Sequence, residues 1–207
     1  VEPDRKINRG NYSMIKIYAE EFNLAEGENK RETEHFKGEL LLRKGLKKDY
    51  GIDYGESNPI PVIKGVHGKP QLKEYPHIFH NISHTAGLAA CAIGDAPVGI
   101  DVEEIRPFSE NIIRKVMSEQ EKEQFYKLKG EEQTAFFFKI WTLKESYVKA
   151  GGWGITIPLT EFSFELGPDG ITCSVPEVEI VQYCLKERYI LSLCTFKKTE
   201  ICFKEIL

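Results

Sequence analysis

Asp101 and Glu103 stand two positions apart in Val98-Gly99-Ile100-Asp101-Val102-Glu103. Side chains alternate along a strand, so both carboxylates leave one face while Val98, Ile100 and Val102 leave the other. Two carboxylates held that close repel unless a cation lies between them. A hard divalent cation such as Mg2+ takes one or two carboxylates and completes its shell with water and substrate phosphate. The plainer reading is a solvated acidic face. A second group, Trp141, Lys144, Glu145 and Lys149, lies on one helical pattern. Glu145 and Lys149 share a face, either as an ion pair contributing about 0.3–0.5 kcal/mol or as a metal ligand and a phosphate contact. Asn81-Ile82-Ser83-His84 runs into a turn, where hydroxyl, imidazole and backbone N–H can together hold a phosphate oxygen. Gly68-Lys69-Pro70 is a turn carrying one basic residue.

The elements that must position these residues follow from periodicity. Met14–Ala19 reads as a strand, and residues 30–48 as a helix with Phe36, Leu40, Leu41 and Leu46 as its apolar stripe. Residues 50–75, rich in glycine and proline, read as loop with short strands. Strands are expected at 79–83, 88–93 and 98–103. Ser118 and Glu121 have capping-box spacing and open a helix. The long helix is expected over 132–150, ending at Gly151-Gly152 where a left-handed residue is free of Cβ strain. Alternation around Gly167-Pro168-Asp169-Gly170 predicts a hairpin, with further strands at 179–185, 189–196 and 201–206. Strands and helices in each half, without a regular βαβ repeat, indicate an α+β fold.

Composition narrows the function classes. The chain has 207 residues, 41% of them apolar and 29% charged, which excludes a disordered or collagen-like polymer. The net charge of −4 argues against a general nucleic-acid binder, so a polyanionic ligand must be met by a local cluster or a metal ion. No apolar run is long enough to span a membrane, and residues 1–20 carry no apolar signal core. Residues 1–13 read as a leader or tail. The five cysteines are odd in number and form no C-x-x-C pair, so a zinc site and a disulfide framework are both unsupported and a reducing cytoplasm is expected. The sequence lacks G-x-x-x-x-G-K-[ST], H-E-x-x-H and G-x-S-x-G.

Taken in order, G-K-P, N-I-S-H, V-G-I-D-V-E and W-T-L-K-E-S-Y-V-K-A-G-G resemble the 4'-phosphopantetheinyl transferase superfamily, in its longer single-chain, surfactin-synthetase-activating (Sfp-like) branch. The resemblance implies two similar α+β halves about a pseudo-twofold axis, here 14–96 and 97–207, with coenzyme A at their junction. It implies Mg2+-dependent transfer of the phosphopantetheine arm of coenzyme A to a serine of an apo acyl or peptidyl carrier protein, releasing adenosine 3',5'-bisphosphate. By motif position, Asp101, Glu103 and Glu145 become the metal ligands. Lys149 and Lys144 face the diphosphate, Ser83 and His84 meet the 3'-phosphate, and Lys69 lies near the adenine and ribose. Glu145 is also the candidate base for the serine proton. A monomer is implied, with no nucleic-acid or membrane partner. Four features depart from the pattern: the segment before the first helix is short, Glu34 falls where a basic residue is common (Lys30 and Arg31 being the candidate substitutes), Thr85 stands where a second serine is usual, and residues from Glu165 onward match only in strand pattern. Two competing readings are a non-catalytic coenzyme A or carrier-protein binding module and a metal-dependent nucleotide phosphohydrolase. Arg114, Lys115 and Met117 are the candidate carrier-docking patch.

Overall fold

A computed structural model describes residues 13–206 of the chain. The expected leader therefore lies outside the described residues except for Ser13, which opens the first strand. The first half runs β1 (Ser13–Glu21), α1 (Lys30–Tyr50), the small hairpin β2 (Val62–Lys64) and β3 (Pro70–Leu72), then β4 (Phe79–Thr85) and β5 (Leu88–Gly94). The second runs β6 (Val98–Glu104), the short α2 (Ile113–Val116) and α3 (Glu119–Phe125), α4 (Gly130–Gly151), the hairpin β7 (Phe164–Gly167) and β8 (Gly170–Cys173), then β9 (Glu179–Leu185) and β10 (Tyr189–Thr195). The two halves repeat one plan: strand, long helix, small hairpin, two strands. Their sheets repeat too. β5 lies antiparallel between β1 and β4, and β10 lies antiparallel between β6 and β9.

One expectation needs correction. The last strand, β11 (Thr199–Ile206), does not stay with residues 97–195; it pairs parallel with β1 in the first half's sheet. Without it, the outer edge of β1 would present unpaired N–H and C=O groups, a site for aggregation. The halves also share a core. Ile15, Ile17, Leu88 and Ala90 of the first pack in one cluster with Val98, Ile100, Val102, Leu191 and Leu193 of the second. A boundary at 96/97 is therefore a change of plan along the chain and not a break between independent units.

Local sequence explains most element ends. Asn29 caps α1 by accepting from the Glu32 N–H, and Gly51 ends it at φ 69°. The Ser118–Glu121 capping box forms in full, and Gly152 ends α4 at φ 66°. The apolar stripe of α1 differs from the expected one. Phe36 is exposed, and the buried face is Gly38, Leu41, Leu42, Gly45 and Leu46. Both glycines let the helix lie close on its sheet: a Cβ at Gly38 would stand 2.4 Å from Ile82, and one at Gly45 2.2 Å from Ile93.

The junction between halves is built from side chains. β4 runs alongside β6, and Asn81, Ser83 and Thr85 each accept a hydrogen bond from a β6 backbone N–H, those of Ile100 (2.8 Å), Val102 (3.2 Å) and Glu104 (3.3 Å). On the other side of β6, α4 presses against Gly99, where a Cβ would lie 2.0 Å from the Ser146 carbonyl oxygen. Asp101 thus sits between β4 and the last turns of α4.

Candidate active site

Asp101 is 4% exposed. Its Oδ1 accepts from Ser83 Oγ at 2.9 Å and from Lys149 Nζ at 2.5 Å. Its Oδ2 is buried and has no hydrogen-bond partner. An acceptor left bare in that way costs the full desolvation of the group unless a donor or cation arrives. Lys149 extends from the C-terminal end of α4 and reaches Ser83 Oγ as well, at 3.3 Å.

The other two carboxylates feel this charge. Burial pushes the Glu145 carboxyl above the ordinary carboxylate range; the negative charges of Asp101 and, less, Glu103 raise it further, with Lys149 opposing. Glu103 is also pushed up, by burial first and by Asp101 second, while Arg106 pulls it back. The Arg106 guanidinium donates to Glu103 Oε2 at 2.8 Å, a contact not anticipated from the sequence. All three carboxylates therefore share one electrostatic neighbourhood. Among the described residues, however, no three acidic, histidine or cysteine side chains are already gathered as a metal cage.

The donor set still fits a hard divalent ion. The orphaned Asp101 Oδ2 is an oxygen acceptor without a donor, and carboxylate oxygens are hard ligands of the kind that Mg2+ takes. Such an ion needs only one or two protein carboxylates when phosphate oxygens and water supply the rest.

Ser83, by contrast, is committed inside the protein. Its hydroxyl donates to Asp101 and accepts from Val102 N–H. It positions Asp101 and has no donor left for the 3'-phosphate expected of it. His84 lies on the opposite face of β4, with Nδ1 3.3 Å from Glu34 Oε2. Burial, as the leading cause, lowers its proton affinity.

One lysine is corrected, and a second is tied into the fold. Lys144 does not reach the diphosphate side: its ammonium is fully buried, 2.7 Å from Glu121 Oε2, and donates to the carbonyls of Leu159 and Phe162 at 2.5 and 2.6 Å. It is a strut joining α3, α4 and the segment leading to β7. The reason is helical phase, because Lys144 and Glu145 are adjacent and point about 100° apart. Lys69 Nζ donates to the carbonyls of Val98, Lys149 and Ala150 at 2.8, 2.6 and 2.9 Å. All three of its protons are spent tying the end of α4 to the start of β6, and burial pushes its pKa down to about 8. Lys69 also lines the cleft. Met117 is buried, so the suggested docking patch reduces to the exposed Arg114 and Lys115.

A cleft of about 670 Å3 opens here, walled by Lys69, Pro70, Asn81, Lys115, Glu145 and Lys149 with aliphatic side chains beyond. Asn81, expected with Ser83 at a turn, instead bonds across to β6, as the period-two set Asn81, Ser83, Thr85 could have signalled. The cleft is thus lined by a carboxylate of raised proton affinity, Glu145, and by the Lys149 ammonium, which reaches the buried Asp101 behind it. That arrangement suits a phosphate ester bound through cations.

The comparisons agree with this chemistry. The family model described as the 4'-phosphopantetheinyl transferase superfamily matches residues 97–194, from the turn before β6 almost to the end of β10. A 4'-phosphopantetheinyl transferase of Bacillus subtilis is 32% identical over 76% of this chain and 71% of its own length. The transferase psf-1 of Bacillus pumilus is 34% identical over 82% of this chain and 74% of its own. The transferase Sfp of Bacillus subtilis strain 168 is 30% identical over 76% and 71%. These matches extend well beyond the acidic strand and the long helix that first drew notice, and the chain belongs to the 4'-phosphopantetheinyl transferase superfamily.

Proposed function

We propose that the cleft transfers the 4'-phosphopantetheine group of coenzyme A to a serine hydroxyl of an apo acyl or peptidyl carrier protein, releasing adenosine 3',5'-bisphosphate. One observation carries the assignment of roles: the buried Asp101 oxygen without a partner, beside the Lys149 ammonium at the mouth of the cleft.

Asp101 would hold Mg2+, with Glu145 and Glu103 completing the protein's share. The ion, when bound, neutralises the diphosphate and stabilises charge on the departing bisphosphate. The chain's own residues do the rest. Lys149 pairs with Asp101 and Ser83 and turns its one remaining donor to the diphosphate, which is electrostatic stabilisation of the leaving group. Ser83 and the β4–β6 side-chain bonds fix Asp101. The serine Oγ attacks the phosphorus on the pantetheine side, the bond to the bridging oxygen breaks, and the serine proton passes to Glu145. Glu145 is read as the acceptor of that proton because it lines the cleft, where a base must lie within hydrogen-bond reach of the serine hydroxyl or of one intervening water. His84 is read as the contact at the 3' end of the ribose.

The reading includes a cytoplasmic monomer without nucleic-acid or membrane partners. All five cysteines are free thiols, which suits a reducing compartment. Among the described residues no helix is long and apolar enough to cross a membrane. The test is to mix the full chain with coenzyme A, Mg2+ and an apo carrier protein and to weigh the carrier. Gain of phosphopantetheine that is lost in Asp101→Ala is the expected result. Cleavage of coenzyme A with an unmodified carrier would identify a phosphohydrolase, and no reaction would identify a binding module.

A further inference from the structure

Asp101 and Glu103 are anchored in the same way, two residues apart on β6. Ser83 of β4 accepts from the Val102 N–H and donates to Asp101 Oδ1; the Lys149 ammonium meets that same oxygen, and Oδ2 is left bare. Thr85, two residues further along β4, accepts from the Glu104 N–H and donates to Glu103 Oε2 at 3.5 Å. The Arg106 guanidinium meets that same oxygen at 2.8 Å. Every hydrogen bond and ion pair of the Glu103 side chain among the described residues falls on Oε2, which leaves Oε1 open. Each carboxylate therefore has one oxygen fixed by a β4 hydroxyl and a cation, and the other without a protein donor. The period of two along β6 turns both to one face.

Arg106 is itself held in place. Its Nη1 also donates to the Glu104 carbonyl at 3.2 Å, and its guanidinium carbon lies 5.4 Å from the centre of the Phe138 ring. Phe138 is buried on α4, the helix that carries Glu145, so the guanidinium takes its position from both β6 and α4. The pair with Glu103 is half exposed on the arginine side and by itself contributes little stability. Its effect is orientation. A carboxylate held by one oxygen cannot exchange its two oxygens by rotation without breaking that bond. Outer partners of this kind set the direction of a ligating carboxylate, and losing one weakens a metal site by about 10–100-fold. A mere charge effect has the opposite sign: removing a positive group from beside the site relieves repulsion and tightens cation binding.

Resting on the metal assignment within the transferase reading, we propose that Arg106 is a positioning residue which, by fixing Glu103 Oε2, reserves Glu103 Oε1 for the divalent cation shared with Asp101 Oδ2.

The probe is Mn2+, with the free ion counted by electron paramagnetic resonance as it is titrated into the full chain with saturating coenzyme A and no carrier. Arg106→Met, Arg106→Ala and Glu103→Gln are compared with the unmodified chain, each first shown to be folded by its melting curve, and Arg106→Met is repeated in the Glu103→Gln background. The expected result is Mn2+ binding about tenfold or more weaker in either arginine variant and in Glu103→Gln, with no further loss when Arg106→Met is added to Glu103→Gln. Coenzyme A affinity measured by calorimetry without metal should stay within about twofold. Mn2+ binding that is unchanged or tighter in the arginine variants overturns the proposal, as does unchanged binding in Glu103→Gln. An equal loss in the Glu103→Gln background overturns it too, because Arg106 then does not act through Glu103. A metal-free coenzyme A affinity that falls in parallel would place Arg106 on the donor and overturn it likewise. Mn2+ bound and weakened as expected, with no modification of a carrier under Mg2+, would instead overturn the transferase reading and leave the role of Arg106 standing.

Discussion

Replacing Gly99 by alanine inserts one methyl group between β6 and α4. The new Cβ would lie 2.0 Å from the Ser146 carbonyl oxygen, 2.2 Å from the Ala150 nitrogen and 2.8 Å from the Lys149 carbonyl carbon. All three are backbone atoms of the helix, so no side-chain rotation relieves the overlap. Ordinary contact begins near 3.4 Å; α4 must therefore retreat from β6 by roughly 1 Å or more. Overpacking of this kind costs about 1–3 kcal/mol, and at this chain length each kcal/mol lowers Tm by about 2–4 °C. The catalytic effect should exceed the thermal one, because Glu145 and Lys149 both ride on α4 while Asp101 stays on β6. A displacement of about 1 Å between reacting groups costs on the order of 100-fold in rate. The assay is kcat for carrier modification at saturating coenzyme A, with Tm measured on the same preparation. Gly167→Ala, where a Cβ meets nothing closer than 3.8 Å, serves as the control for a glycine substitution outside the site. A Gly99→Ala protein with unchanged kcat and Tm would refute the close helix–strand contact on which the site geometry rests.

Lys144→Met leaves Glu121 buried without its cation and should cost about 3–5 kcal/mol of stability, part of it restored by adding Glu121→Gln. In that double variant KM for coenzyme A should stay within about twofold of the unmodified value, since mutation of a residue outside the site leaves uniform binding intact; a tenfold rise with an intact fold would return Lys144 to the phosphates. Glu145→Gln should abolish transfer yet raise Tm at neutral pH. The folded-state proton affinity of Glu145 is raised, so folding binds its proton more tightly than the unfolded chain does. Stability from this group is then greatest below the unfolded carboxylate value and is lost as pH rises through the folded one. The Tm difference between variant and unmodified chain should be small near pH 4 and grow upward; a difference that does not change with pH would remove the electrostatic account.

The sequence alone determined the strand phase that puts Asp101 and Glu103 on one face, because alternation is a property of any strand. It likewise determined the turn-by-turn relation of Glu145 to Lys149, the Ser118 capping box and the glycine stop of α4, all set within a few residues. A plan repeated in two halves, with the candidate site residues near their junction, was an expectation drawn from the resemblance. What the chain does across long separations was not. Periodicity counts apolar residues, so the glycine-lined face of α1 was missed and Phe36 was read inward. The pairing of β11 with β1 joins residues nearly the whole chain apart, and no local pattern encodes an edge that needs covering. The fates of the basic residues were decided by which carbonyls and carboxylates the fold brought within 3 Å. Lys69 and Lys144 became internal struts, and of the three only Lys149 meets Asp101. A lysine's type announces a charge, but only tertiary packing decides whether that charge faces a ligand or is consumed by the protein.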